Sequence, residues 1–199
     1  MKATQITQWC ARFITEQVQP GDICIDATMG NGNDTLLLCS LCQETGHVYA
    51  FDIQEQALAH TRQRLLNADV PTNYTLLLES HANMDHYVQP DSVSCIVFNL
   101  GYLPGGDHAK ATHASSSIEA LTKSLSLLKK GGLISLCIYS GGDSGFEGGE
   151  RAQQAAADIA FFFNGADNRD LYSHKYLVIR SDYYNRPNNP PIPVLIIRQ

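Results

Sequence analysis

Residues 26–35 read Asp26-Ala-Thr-Met-Gly-Asn-Gly-Asn-Asp-Thr35 and follow directly on the apolar Ile23-Cys24-Ile25. An apolar strand that runs into a loop bent at Gly30 and Gly32 brings backbone close to a ligand with no Cβ in the way. From Asp34 onward the pattern opens a helix. A second apolar strand, Val48-Tyr49-Ala50-Phe51, ends in Asp52, about twenty residues on, where a strand-tip carboxylate can accept from both ribose hydroxyls of an adenosine. These two features predict an α/β sheet that binds a nucleoside cofactor.

The loop chemistry narrows the choice. A dinucleotide fingerprint needs Gly-x-Gly-x-x-Gly so that the helix N-terminus can approach a pyrophosphate, but the third glycine position here is Thr35, and Asn31, Asn33 and Asp34 fill the loop with polar side chains. Neutral acceptors and carboxylates suit an ammonium-bearing amino-acid group instead. The methionine end of S-adenosyl-L-methionine offers that group, so this is the expected cofactor. Ser80-His81, after a strand at 74–78, falls where class I methyltransferases hold the adenine, a likeness that implies the same use here.

The chain has 199 residues and 44% hydrophobic content, which suits one soluble domain spanning 1–199 with a single large core. Its apolar runs are short and no signal segment is visible, so a cytoplasmic protein that does not enter a membrane is expected. The N-terminal stretch 6–18 reads as an amphipathic helix with Ile6, Trp9, Cys10, Phe13 and Ile14 on one side. Three of the six cysteines, Cys24, Cys95 and Cys137, sit in apolar strand segments and read as small core residues. Cys39-Ser40-Leu41-Cys42 has the spacing of half a zinc site, but no second pair exists, so no metal is expected.

Net charge is −6 overall, unevenly spread: residues 1–109 carry 4 Lys/Arg against 12 Asp/Glu, and residues 110–199 carry 10 against 8. A phosphate-binding face is therefore expected to draw on the C-terminal half, from Lys110, Lys123, Lys129, Lys130, Arg151, Arg169, Lys175, Arg180, Arg186 and Arg198.

Strands at 22–26, 48–52, 74–79, 94–99 and 133–139 alternate with helices at 34–43, 55–67, 114–129 and 148–163, with no internal repeat and no linker. Such alternation predicts a mostly parallel sheet with helices on both faces. Two further strand-like runs, 176–184 and 193–197, are separated by a segment too short for a crossover helix, so they predict a C-terminal antiparallel hairpin at the sheet edge. The strand at 94–99 ends in Asn99-Leu-Gly-Tyr-Leu-Pro-Gly-Gly-Asp-His108, a loop that topology places beside the cofactor loop, where an acceptor should meet the methyl group. Asn99 and Tyr102 keep the two ends of the Asn-Pro-Pro-Tyr motif of amine methyltransferases, with Leu100 and Gly101 in place of the prolines.

The segments 26–35, Phe51-Asp-Ile-Gln54, Ser80-His81, 99–108, Lys129-Lys-Gly-Gly132 and Tyr183-Tyr-Asn185 together resemble the MnmM family of tRNA 5-(aminomethyl)-2-thiouridine methyltransferases, long labelled putative rRNA methylases. The resemblance covers nearly the whole chain. It implies a class I S-adenosylmethionine-dependent methyltransferase, Rossmann-like, with a seven-stranded sheet. It also implies cofactor contacts from Asp26, Gly30, Asn31, Gly32, Asn33, Asp34, Thr35, Asp52, Gln54, Ser80 and His81, and acceptor chemistry from Asn99, Tyr102, Asp107 and His108. The implied substrate is the aminomethyl group of the wobble uridine in the tRNA anticodon loop, and a homodimer is compatible with the family. One departure is Ser140-Gly-Gly-Asp143 after Tyr139, where the family is expected to carry Gly-His.

Methyl transfer needs an unprotonated nucleophile held in line with the methyl. Asp107, His108 and His81 are the candidate proton acceptors, with His81 better suited to the cofactor. Two other readings share the same cofactor half: a methyltransferase for a ring nitrogen of rRNA, and a catalytically silent module that binds S-adenosylmethionine and RNA.

Overall fold

The computed structural model describes residues 6–100, 114–139, 175–182 and 191–199. The expected helix at 148–163, the acceptor loop beyond Leu100 and the segment 183–190 lie outside the described residues. In chain order the elements are α1 (Ile6–Gln17), β1 (Ile23–Asp26), α2 (Asn33–Cys42), β2 (His47–Asp52), α3 (Glu55–Ala68), β3 (Tyr74–Leu78), a 3-10 turn (His81–His86), β4 (Val93–Leu100), α4 (Ala114–Leu127), β5 (Leu128–Ile138), β6 (Tyr176–Arg180) and β7 (Ile192–Arg198).

The strands form one seven-stranded sheet in the order β3-β2-β1-β4-β5-β7-β6. β1 to β5 are mutually parallel, whereas β7 runs antiparallel to both β5 and β6. The expected hairpin is present, with the later strand placed inward of the earlier one. From β1 the chain first builds outward through β2 and β3, then returns to add β4 on the other side. That reversal opens a crevice at the carboxyl ends of β1, β2 and β4.

The period-two alternation of the strands sorts their side chains between two cores. Cys24, Val48, Cys95, Val97, Leu133 and Leu195 face Ile14 of α1, Leu38 and Cys42 of α2 and Leu65 of α3. Ile25, Phe51, Ile96, Phe98, Ile134 and Leu136 face Met84 of the 3-10 turn and Leu121 and Leu125 of α4. Helices thus cover both faces, and fully burying each of these Leu or Phe side chains contributes about 1.5–3 kcal/mol. All six cysteines are buried free thiols, with Cys42 Sγ 3.5 Å from Cys24 Sγ. Among the described residues, no group of His, Cys, Asp or Glu side chains is arranged to hold a metal ion.

β5 begins at Leu128 rather than at 133. Leu128 pairs with Val93, and a register irregularity carries Lys129-Lys130-Gly131-Gly132 until pairing resumes at Cys95 and Leu133. The 3-10 turn, absent from the sequence expectation, is too short for a helical period to show. Among the described residues, no helix is long and apolar enough to cross a membrane.

Candidate active site

The loop from β1 to α2 is held in place by bonds that the residue spacing alone does not reveal. Asp26, at the tip of β1, is fully buried; Oδ1 accepts from the Thr28 amide at 3.1 Å and Oδ2 from the Thr35 hydroxyl at 2.6 Å. Burial, with the charge of Asp34 next in importance, pushes its carboxyl up to about 7. Asp34 is raised as well, by burial, against the opposing hydrogen bond from Asn99. Two carboxylates that resist ionisation beside one loop are suited to a cation, which would relieve both.

Gly30 and Gly32 both have positive φ, 49° and 76°. At Gly32 a Cβ would also come within 2.9 Å of the Thr61 Cα on α3, so glycine lets α3 close against the loop. The Gly30 amide donates to Asp52 Oδ2 at 3.0 Å, and the Gln54 amide donates to Asp52 Oδ1 at 3.0 Å. Asp52 therefore joins the tips of β1 and β2. Asp26, Thr35, Asp34, Asp52, the two glycines and the buried Gln54 are brought together around the crevice.

His81 opens the 3-10 turn, and Ser80 caps it by accepting from the Ala82 amide at 3.2 Å. His81 is 8% exposed; Nδ1 donates to the Ala27 carbonyl at 3.0 Å, and Nε2 is buried without a partner. Burial holds this imidazole below its ordinary pKa. It is thus neutral at pH 7, with an acceptor lone pair on Nε2. That state suits accepting a ligand's N–H better than taking a proton during turnover.

Asn31 and Asn33 are placed differently from the rest. Asn33 is exposed at the start of α2. The Asn31 side chain turns outward to α3, with Oδ1 at 3.2 Å from His60 Nδ1, and its carbonyl accepts from Arg64 Nε at 2.6 Å.

On the acceptor side, Asn99 lies near the end of β4. Its amide donates to Thr28 Oγ1 at 2.8 Å, and Nδ2 donates to Asp34 Oδ2 at 2.6 Å. Sequence reasoning missed Thr28 and the Asn99–Asp34 pair, which spans 65 positions; Thr28 lies within the quoted motif, but no local signal marks its partner. Tyr102, Asp107 and His108 lie outside the described residues.

Four of the six described cations from the expected C-terminal stock are paired within the fold. Lys129 Nζ bonds Asp22 Oδ1 at 2.6 Å, Lys123 meets Asp85 at 3.0 Å and Glu119 at 3.1 Å, Arg180 meets Asp182 at 3.1 Å, and Arg198 pairs with Asp91. Lys129 and Lys130 also stand at the start of β5, at the amino edge of the sheet and opposite the crevice. Lys110, Arg151, Arg169 and Arg186 lie outside the described residues.

The family model described as "Putative rRNA methylase" matches residues 48–197. The chain belongs to this rRNA methylase family. Among relatives, it is 40% identical over 157 residues to the chloroplastic tRNA (mnm(5)s(2)U34)-methyltransferase of Arabidopsis thaliana, covering 73% of this chain and 56% of that protein. Among solved structures, the putative rRNA-methylase of Clostridium thermocellum superposes with a TM-score of 0.87 at 37% identity, and all of both chains is covered. A putative methyltransferase of Streptococcus mutans in complex with SAH gives a TM-score of 0.81 at 30% identity, again over the whole of both chains. Strand order and these neighbours make this a class I, Rossmann-like methyltransferase fold. Within the rRNA methylase family, then, this chain spans a little over half the length of the plant relative.

Proposed function

We propose that the chain transfers a methyl group from S-adenosyl-L-methionine to the primary amine of 5-aminomethyl-2-thiouridine at the tRNA wobble position, giving 5-methylaminomethyl-2-thiouridine. The observation that carries this reading is the orientation of Asn99. With Nδ2 given to Asp34, its side-chain carbonyl has no partner among the described residues and is left as an acceptor at the crevice. A carbonyl there fits a nitrogen that carries N–H, such as an amine, and discriminates against a ring nitrogen that offers only a lone pair. The tRNA methyltransferase name of the plant relative agrees with it.

The residues present fit the cofactor. Asp52 stands at the β2 tip for the ribose, the raised Asp26 and Asp34 suit a cationic amino-acid end, and the unpartnered His81 Nε2 suits a donor on the base. When bound, the cofactor supplies an electrophilic methyl on a sulfonium. The chain's own part is to orient and deprotonate. Accepting an N–H at the Asn99 carbonyl aims the lone pair of the amine, and holding the reactants in contact supplies much of the rate. An aliphatic amine resembles lysine in its pKa of about 10, so it must lose a proton, and Asp107 and His108 are the proposed acceptors, with Tyr102 stacking on the base. The substrate position is the anticodon loop, whose unpaired bases cost little to present, and the site of action is the cytoplasm.

The test is methyl transfer from labelled cofactor to tRNA whose wobble uridine carries aminomethyl, carboxymethylaminomethyl or no substituent at carbon 5, with rRNA alongside. Only the aminomethyl tRNA should be methylated. Methylation of the unsubstituted tRNA, or of rRNA at a comparable rate, overturns the reading.

A further inference from the structure

Between α2 and α3, on the outer side of the cofactor loop, lies an open groove of about 570 Å³ lined by Asn31, Leu36, His60, Gln63, Arg64, Asn67 and Ala68. His60, Gln63, Arg64 and Asn67 follow the spacing of one helix face, and all four are exposed. The lining contains no carboxylate, although the first 109 residues carry 12 acidic side chains against 4 basic ones. Arg64 forms no ion pair among the described residues. Its Nε is spent on the Asn31 carbonyl, which fixes the guanidinium fork at the groove and leaves its other N–H donors for a ligand. Gln63 and Asn67, joined by a 2.8 Å bond between their amides, add neutral donors.

We propose that this groove binds a backbone phosphodiester of the RNA substrate. The inference rests on the RNA-methyltransferase reading above and adds to it where the polyanion is held. A donor-rich groove with a fixed guanidinium and no opposing carboxylate suits a phosphate, whereas most described cations of the C-terminal half are already paired within the fold. The same contacts link the groove to the cofactor loop: Arg64 and His60 hold Asn31, one residue from Gly30, whose amide bonds Asp52.

The experiment measures binding of aminomethyl-bearing tRNA to the full chain across a salt series, with cofactor affinity measured separately by calorimetry. Arg64→Glu and Asn67→Glu should each weaken tRNA binding at least tenfold, and Arg64→Ala should lower the salt slope by about one. Asn67 is bonded to Gln63 on its own helix, so Asn67→Glu should leave free-cofactor affinity within threefold. Lys130→Glu makes the charge change of Arg64→Glu at the amino edge of the sheet and should alter tRNA affinity less than twofold. If Arg64→Glu and Asn67→Glu bind tRNA as the unaltered chain does, or lose no more than Lys130→Glu, the groove assignment is overturned while the functional reading stands. If the unaltered chain binds and methylates rRNA instead, the substrate reading falls, and the groove is judged by whether the same two variants weaken rRNA binding tenfold.

Discussion

At the scale of single residues, the Asn99–Asp34 bond assigns roles more sharply than position in a motif does. Asp34 belongs by sequence to the cofactor loop, yet its 2.6 Å bond makes it the group that orients the acceptor-side amide. Asn99→Ala and Asp34→Ala should each lower kcat at least tenfold. Because the two side chains are in contact, the double variant, measured at saturating cofactor, should lose less than the two single losses combined, an interaction that a mutant cycle reads directly. Fully additive losses would show that Asp34 acts through the cofactor alone. Strand-tip Asp26 and Asp52 were legible in the sequence, since a carboxylate after an apolar run is a local signal. The Asn99–Asp34 and Arg64–Asn31 contacts were not, because they join positions 65 and 33 residues apart and exist only once the sheet has formed.

Among the elements, the glycine-bent loop shows how backbone freedom and packing combine. Gly32 and Gly131 have nearly the same φ, 76° and 79°, but a Cβ at Gly131 meets nothing within 4 Å, whereas at Gly32 it meets the Thr61 backbone at 2.9 Å. Gly131→Ala should therefore cost only the left-handed strain, about 1–2 kcal/mol. Gly32→Ala should cost clearly more in urea denaturation and should weaken the cofactor at least tenfold, because α3 must move off the loop; equal costs at the two sites would mean that α3 yields freely. The contrast also explains what could be read in advance. Every described strand core was visible as an apolar run, whereas the start of β5 was hidden behind Lys129-Lys130-Gly131-Gly132, which reads as a turn although Leu128 is already paired with Val93. The 3-10 turn was missed for the lack of a period, yet its Met84 is fully buried.

For the whole molecule, the buried carboxylates set a pH dependence of stability. The carboxyl of Asp26 moves from 3.8 to about 7 on folding, so between those values the folded chain holds a proton that the unfolded chain has lost. Its stabilising contribution is fully present below 3.8 and disappears as pH rises through about 7, and Asp34 shifts in the same direction. His81 and His47, held below their ordinary pKa by burial, push the other way near pH 6 in any variant that keeps them, so the test is comparative: without cofactor, the urea midpoint of the unaltered chain should drop relative to that of Asp26→Asn from about pH 5 to about pH 8; a difference that stays constant over this range would contradict the assignment. A cationic cofactor favours the ionised forms, so the stabilisation it brings should grow over the same interval. The placement of β7 bears on how the molecule is made. β7 follows β6 in the chain but lies between β5 and β6, with Ile192–Ile197 paired to Ile138–Leu133. β1 to β5 can pair with one another, but the edge of β5 stays open, and β6 has no neighbour, until residues 192–198 take their place between them. Sheet closure therefore waits for residues 192–198, and the β5 edge is the surface that needs protection from foreign strands until then.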